Sequence, residues 1–304
     1  MMINSKGVNG MNRIATPEGT KAILNQYPFI FQKKFGQNFL IDPRVLDKII
    51  NAAEITKEDC IIEIGPGIGS VTQALLENAG KVISIEIDDQ LIPILEEQYG
   101  HNEHFKLIHK DVLKVDLKKL IEEESPHRKI KVVANLPYYI TTPIIMMLLE
   151  NELPIDSITV MVQKEVADRM ASGPGSKQYG AITVAMNYYC STSLVANVPQ
   201  NCFMPRPNVD SAVIKLTLHQ TPIVDVQNPQ QMLTIIKAAF SQRRKTLLNT
   251  LASNGNLGLD KEAIKNILEE SGIGASTRGE TLSLKDYAML SDFIDNYRKN
   301  LIDK

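Results

Sequence analysis

From residue 60 onward the chain alternates short apolar runs with stretches of helical spacing. Cys60–Ile64 leads through a glycine-rich turn into a helical stretch to about Asn78. Lys81–Ile85 is followed by one to Tyr99, Phe105–His109 by one near 116–124, and Ile130–Ala134 by another before Ser157–Val162. Runs of this length suit strands, and parallel strands need a helical crossover because no tight turn can join them. The alternation therefore predicts βαβ units with right-handed connections and an open, doubly wound α/β sheet. Two further runs, at 192–198 and 210–218, flank the proline-containing loop Phe203–Pro207 and are expected to pair antiparallel at the sheet edge. After Thr221-Pro222 only helical periodicity remains, near 229–240, 245–253, 260–271 and 283–300, which predicts a small C-terminal all-helical domain. Upstream, Asp42-Pro43 is a helix start, with Val45, Leu46, Ile49 and Ile50 on one face. The first 20 residues lack sustained periodicity, so order is expected to begin near Ile23. The expected division is a flexible arm over 1–22, an α/β domain over 23–220 and a helical domain over 221–304.

The longest uncharged apolar run near the middle, Ile140 to Leu149, is far shorter than a bilayer span, and the first 20 residues hold no apolar signal core. Cys60, Cys190 and Cys202 are too widely spaced for paired zinc or redox chemistry. A reducing cytoplasm and no membrane partner are expected. His101, His104 and His109 straddle a turn and a strand, which suits surface positions better than a metal site, and no metal is expected. The formal net charge of −2 conceals an uneven distribution. Residues 1–48 carry a basic excess, 51–130 an acidic one, and 237–250 hold Lys237, Arg243, Arg244 and Lys245 without an acid. Charge separated in this way makes either ordinary solvated surface or a basic face suited to phosphate backbones.

The chemistry centres on Glu63-Ile-Gly65-Pro-Gly67-Ile-Gly69, between the first strand and its helix. Glycines there let the backbone turn tightly and approach a ligand with no Cβ in the way, while the next helix presents free N–H groups. A plain tight turn would look the same, so context matters. The next strand ends in Glu86, placed to accept from ribose hydroxyls, and the third near Asp111, placed to accept from an adenine amino group. Both NAD and S-adenosylmethionine fit such a crevice. The G-x-G-x-G spacing leans away from the dinucleotide fingerprint, and nothing after the fourth strand suits hydride transfer.

Directly after that fourth strand comes Asn135-Leu136-Pro137-Tyr138, which resembles the signature of S-adenosylmethionine-dependent methyltransferases acting on exocyclic amino nitrogens, notably N6 of adenine. An aromatic amine is a poor nucleophile because its lone pair is delocalised into the ring. Two acceptors on its hydrogens favour a tetrahedral nitrogen aimed at the methyl donor, and the Asn135 side-chain oxygen and the Leu136 carbonyl are the candidates. Tyr138 is expected to stack on the extruded base.

From about residue 30 the resemblance covers nearly the whole chain. Lys34-Phe35-Gly36-Gln37-Asn38-Phe39-Leu40, the glycine turn, Asn135–Tyr138 and Phe203-Met-Pro205-Arg206-Pro207-Asn-Val209-Asp-Ser211-Ala-Val213 are together similar to the ribosomal RNA adenine dimethyltransferases. Phe240–Leu247 and the overall length most resemble the small-subunit (16S) branch. The resemblance implies a Rossmann-like class I methyltransferase sheet, S-adenosylmethionine as donor, and dimethylation of N6 on two adjacent adenosines in the 3′-terminal hairpin loop of 16S rRNA, within the 30S subunit or its precursor. Asn38, Leu40, Gly65, Gly67, Glu86, Asp111 and Asn135 are then the cofactor contacts. Asn135, Leu136, Pro137 and Tyr138 form the catalytic segment, with Phe203 as the second face of a base clamp. Lys33, Lys34, Arg44, Arg206, Arg243, Arg244 and Lys245 are the expected RNA contacts, bracketing the mouth of the site, and the helical domain is the RNA-binding one. Tyr139 departs from the pattern, since many relatives have Asn there. The remaining alternatives are a 23S rRNA adenine methyltransferase of the macrolide-resistance type and a non-catalytic rRNA-binding assembly factor on the same fold.

Overall fold

The computed structural model describes residues 13–27, 29–32 and 36–302. The first strand of the main sheet, β2 (Asp59–Ile64), is buried at every position, and the next, β3 (Lys81–Glu86), at all but its first. Each fully buried Ile or Leu here contributes about 1.5–3 kcal/mol relative to exposure. Before them lie α1 (Pro17–Gln26), β1 (Phe39–Leu40) and α2 (Pro43–Ala53). After β2 comes α3 (Ser70–Asn78), and after β3 come α4 (Ile92–Tyr99), β4 (Phe105–His109), α5 (Leu117–Glu124), β5 (Lys129–Asn135), α6 (Thr141–Glu150) and β6 (Ile155–Gln163). The chain continues through α7 (Lys164–Met170), α8 (Ala181–Tyr189), β7 (Cys190–Val198), β8 (Phe203–Met204) and β9 (Ser211–Leu218). It finishes with α9 (Pro229–Ala239), α10 (Leu247–Ala252), α11 (Lys261–Glu270) and α12 (Leu284–Ile302).

The seven-stranded sheet has the order β4-β3-β2-β5-β6-β9-β7. Strands β2 to β6 pair parallel, and β9 is antiparallel to β6, as the doubly wound reading required. The order reverses between β2 and β5, which opens a crevice beyond their carboxyl ends. The two late runs are indeed neighbours at the sheet edge. Helix α2 starts where its sequence indicated: Asp42 accepts from Arg44 N at 2.9 Å with Pro43 at the first position, and Val45, Leu46 and Ile49 are buried. Strands β1 and β8 form a separate antiparallel pair, Leu40 opposite Phe203.

The chain forms two compact units, one reaching to Ala167 and resuming over Ser193–Thr217, the other comprising Asp168–Thr192 and the residues from Leu218 on. Residues 168–192 had been expected within the α/β domain. Their packing explains the difference: Tyr179 is buried, donates through Oη to Leu282 O at 2.9 Å and meets the Phe240 ring edge-on at 5.8 Å. The expected arm also ends sooner. Thr16 caps α1 by accepting from Gly19 N at 3.0 Å, and buried Ile14 donates its N–H to Gln73 at 3.1 Å, so residues 13–22 are held. Residues 1–12 lie outside the described residues. Among those described, no helix is long and apolar enough to cross a membrane, and no cluster of metal-ligating side chains occurs.

Candidate active site

The turn after β2 is built on three left-handed glycines, Gly65 (φ +70°), Gly67 (φ +61°) and Gly69 (φ +88°). At Gly69 an added Cβ would stand 2.7 Å from the Tyr99 ring, and at Gly67 3.1 Å from that of Phe39. Over Gly65 the nearest atom would be Asn135 O at 3.9 Å, leaving open space on the cleft side. The turn is tied to the neighbouring strand: Gly65 N donates to Ile85 O at 3.0 Å and Gly67 N to Glu86 Oε2 at 3.3 Å.

Glu86 closes β3 and is buried. Its Oε1 accepts from Ile87 N at 2.8 Å and Asp88 N at 2.9 Å, so most of its remaining acceptor capacity is on Oε2. Burial pushes its carboxyl upward, against the lowering effect of the three backbone N–H groups. Beyond β4, Asp111 accepts from Leu113 N at 3.1 Å. At the end of β5, Asn135 Nδ2 donates to Asn38 O at 3.0 Å, which fixes the amide plane. Neither Asn135 Oδ1 nor Leu136 O takes up a hydrogen bond within the described residues, although Leu136 N donates to Met161 O at 3.1 Å. The Tyr138 hydroxyl and Ser211 Oγ are 2.7 Å apart, which holds the ring at the cleft.

These parts converge. One cleft is lined by Asn38, Leu40, Gly65, Gly67, Glu86, Asp111 and the whole of Asn135–Tyr138. It is also lined by Tyr139, noted in the sequence only as a departure from the pattern, and by residues not singled out there, among them Ser70, Ile87 and Lys110. Buried Ser70 Oγ has no partner among the described residues, which suits a polar ligand end beside the glycine turn. Another omission is Asp88, fully buried, which accepts from Gln32 Nε2 at 2.9 Å and from Gln37 Nε2, pinning the segment before β1 to the end of β3. The acids Glu86-Ile-Asp88-Asp89 were visible in the sequence, but their partners some fifty residues upstream leave no local signal.

Several expected residues stand elsewhere. Phe203 is 3% exposed and packs in the core with Leu40 and Val213, away from the cleft lining, so it offers no face to a base. Its strand pairing with Leu40 turns it inward. Arg44 is exposed but chelated by Asp42, with Nε to Oδ1 at 3.1 Å and Nη2 to Oδ2 at 2.8 Å, and this holds the Asp42 carboxyl down to about 2. Arg243 donates to the carbonyls of Lys177 and Tyr179 and pairs with Glu280, so it braces its own unit, whereas Arg244 and Lys245 are exposed. Arg206 is exposed and donates through Nε to Gln200 at 3.2 Å. Lys33 and Lys34 lie outside the described residues.

Under the turn, Glu63 is 1% exposed and accepts on Oε2 from Ser84 at 2.6 Å and Thr72 at 2.7 Å, while Oε1 has no partner within the described residues. Burial drives its carboxyl up to about 7, beyond what the two hydroxyls offset. A folded value raised above the ordinary 4.5 favours the neutral form. This contribution to stability is therefore complete below the ordinary value and lost as pH rises through about 7. Glu63→Gln, neutral throughout, is expected to gain about 3 kcal/mol on the wild type near pH 8 and little near pH 4. Urea unfolding at both values checks this, and parallel pH profiles would contradict it.

Relatives carry the same plan over the same span. A ribosomal RNA small subunit methyltransferase A of Lachnoclostridium phytofermentans is 57% identical over 290 residues, covering 95% of this chain and 100% of the relative. Its counterpart in Alkaliphilus oremlandii is 50% identical, covering 93% and 98%. A solved dimethyladenosine transferase from Plasmodium falciparum superposes with a TM-score of 0.69 at 27% identity, over 85% of this chain and 98% of that one. Residues 29–290, which take in the pinned segment, the glycine turn, the Asn135 segment and most of the helical unit, match the model for ribosomal RNA adenine dimethylase, and the chain belongs to that family of enzymes.

Proposed function

We propose that this protein transfers methyl groups from S-adenosylmethionine to N6 of two adjacent adenosines in the 3′-terminal hairpin loop of 16S rRNA, acting in the cytoplasm on the 30S subunit or its precursor. The observation that carries the reading is the pinned Asn135: with Nδ2 committed to Asn38 O, its Oδ1 and the Leu136 carbonyl remain as two acceptors at the cleft. When bound, S-adenosylmethionine supplies an electrophilic methyl on a sulfonium. Glu86 Oε2 accepts from its ribose and Asp111 from its adenine amino group, while the open face of Gly65, the Gly67 backbone and Ser70 receive its methionine end. Asn38 and Leu40 line the same cleft and complete the cofactor contacts.

Tyr138 stacks on the extruded adenine, its ring steadied by Ser211. The two acceptors draw on the amine hydrogens, localise the nitrogen lone pair and aim it at the methyl group, so that orientation and electrostatics supply the acceleration without a strong base. As the N–CH3 bond forms, the S–CH3 pair stays with the departing S-adenosylhomocysteine, and the amine gives up one proton to water. Pro137 follows the acceptor carbonyl and stiffens the segment at that point. Arg244 and Lys245, with Arg206, Lys33 and Lys34, meet rRNA phosphates, and Arg44 contributes to the extent that Asp42 releases it. The test is methylation in vitro of 30S particles lacking these modifications, against naked 23S rRNA, with mass spectrometry of the labelled fragment. Two dimethylated adenosines in the 16S hairpin are expected. Label on 23S rRNA alone, or no label on either substrate, would overturn the proposal.

A further inference from the structure

Tyr138 and Tyr139 are consecutive, line the same cleft and face different surroundings. The Tyr138 hydroxyl is bound to Ser211, at the start of β9. Tyr139 turns the other way. A Cβ on Gly36, in the segment pinned by Asp88, would lie 3.8 Å from Tyr139 Cδ1. The phenol is also pushed upward in pKa, first by burial and then by the nearby charges of Asp111 and Glu86. Asp111 follows β4, which is separated from β5 by β3 and β2 in the sheet, so this ring reaches back across the mouth of the crevice. Helix α6, which begins two residues later, packs against the short turn of helix Val112–Lys114 after Asp111, and brings the segment there. With 60% of its surface exposed, Tyr139 is one of the largest apolar surfaces left open on this unit, and it lines the same cleft as the two acids assigned to the nucleoside.

We propose that Tyr139 is the roof of the cofactor's nucleoside pocket, closing on the adenosine moiety of S-adenosylmethionine and leaving Tyr138 alone to the target base. This rests on the cofactor assignment above. Stacking on a nucleobase survives loss of the hydroxyl but not of the ring. The test is calorimetric titration of the full-length protein with S-adenosylhomocysteine, together with rRNA binding measured without cofactor. Tyr139→Ala is expected to weaken S-adenosylhomocysteine binding roughly tenfold, Tyr139→Phe less than about twofold, and neither to change rRNA affinity. If the wild type binds the nucleoside and Tyr139→Ala binds it equally well, the roof is wrong while the cofactor assignment stands. The roof is equally wrong if Tyr139→Ala weakens rRNA binding and spares the nucleoside. A wild type that does not bind S-adenosylhomocysteine brings down the cofactor assignment, and the roof with it.

Discussion

Asn135→Ala is expected to slow methyl transfer by about 10²–10³-fold, the cost of losing one preorganised polar contact to a developing charge. Single-turnover transfer from labelled S-adenosylmethionine to 30S particles measures the chemical step apart from product release. Asn135 does two jobs, since Nδ2 also ties down the Asn38 carbonyl while Oδ1 stays open. Asn135→Asp separates them. It keeps an acceptor at the cleft but turns an attractive contact with Asn38 O into a repulsive one, so cofactor affinity should fall more in Asp than in Ala. rRNA affinity should be unchanged in both, because the proposed phosphate contacts do not include Asn135. Transfer by Asn135→Ala at near the wild-type rate would remove the orientation mechanism.

Glu86→Ala is expected to weaken S-adenosylhomocysteine binding by roughly 10- to 100-fold. A hydrogen bond to a charged acceptor is worth about 1.5–3 kcal/mol, and the ribose loses its carboxylate. The protein is damaged as well: Gly67 N, Ile87 N and Asp88 N all lose their acceptor, and Gly67 N is one of the two links between the glycine turn and β3. Glu86→Gln, which keeps one oxygen, should recover part of the affinity. Calorimetry on the three proteins, with thermal unfolding as a check on the turn, tests this. Equal affinities would place the nucleoside elsewhere in the cleft.

The legible parts of the molecule were those written in local pattern. Strand length, helical spacing and turn glycines gave β2 to β6 and α9 to α12 within a few residues, because each reports burial along its own segment. The Gly65–Gly69 turn and the Asn135–Tyr138 segment were readable for the same reason, being contiguous and placed at strand ends. What stayed hidden depends on partners distant in sequence. Nothing around Asp88 announces Gln32 and Gln37. Nothing around Phe203 shows that pairing with Leu40 sends its ring into the core. Arg243 reads as a free cation until the carbonyls of Lys177 and Tyr179 are placed beside it. The β-rich stretch before residue 168 gave no hint that the following helices bury their apolar side in the C-terminal unit.

The segment Gln37–Leu40 is fastened at several points, by Asp88 through Gln37, by Asn135 through Asn38 and by β8 through Phe39 and Leu40. Those anchors come from three regions of the chain, and each is remote from the stretch it restrains. A chimaera that grafts the sheet of a homologue onto this amino-terminal stretch would have to import matching anchors at all three places, or the donor would sit against a wall with nothing behind it. Inheritance of this pocket is therefore collective, and piecemeal exchange of its parts should be poorly tolerated even where every exchanged part folds.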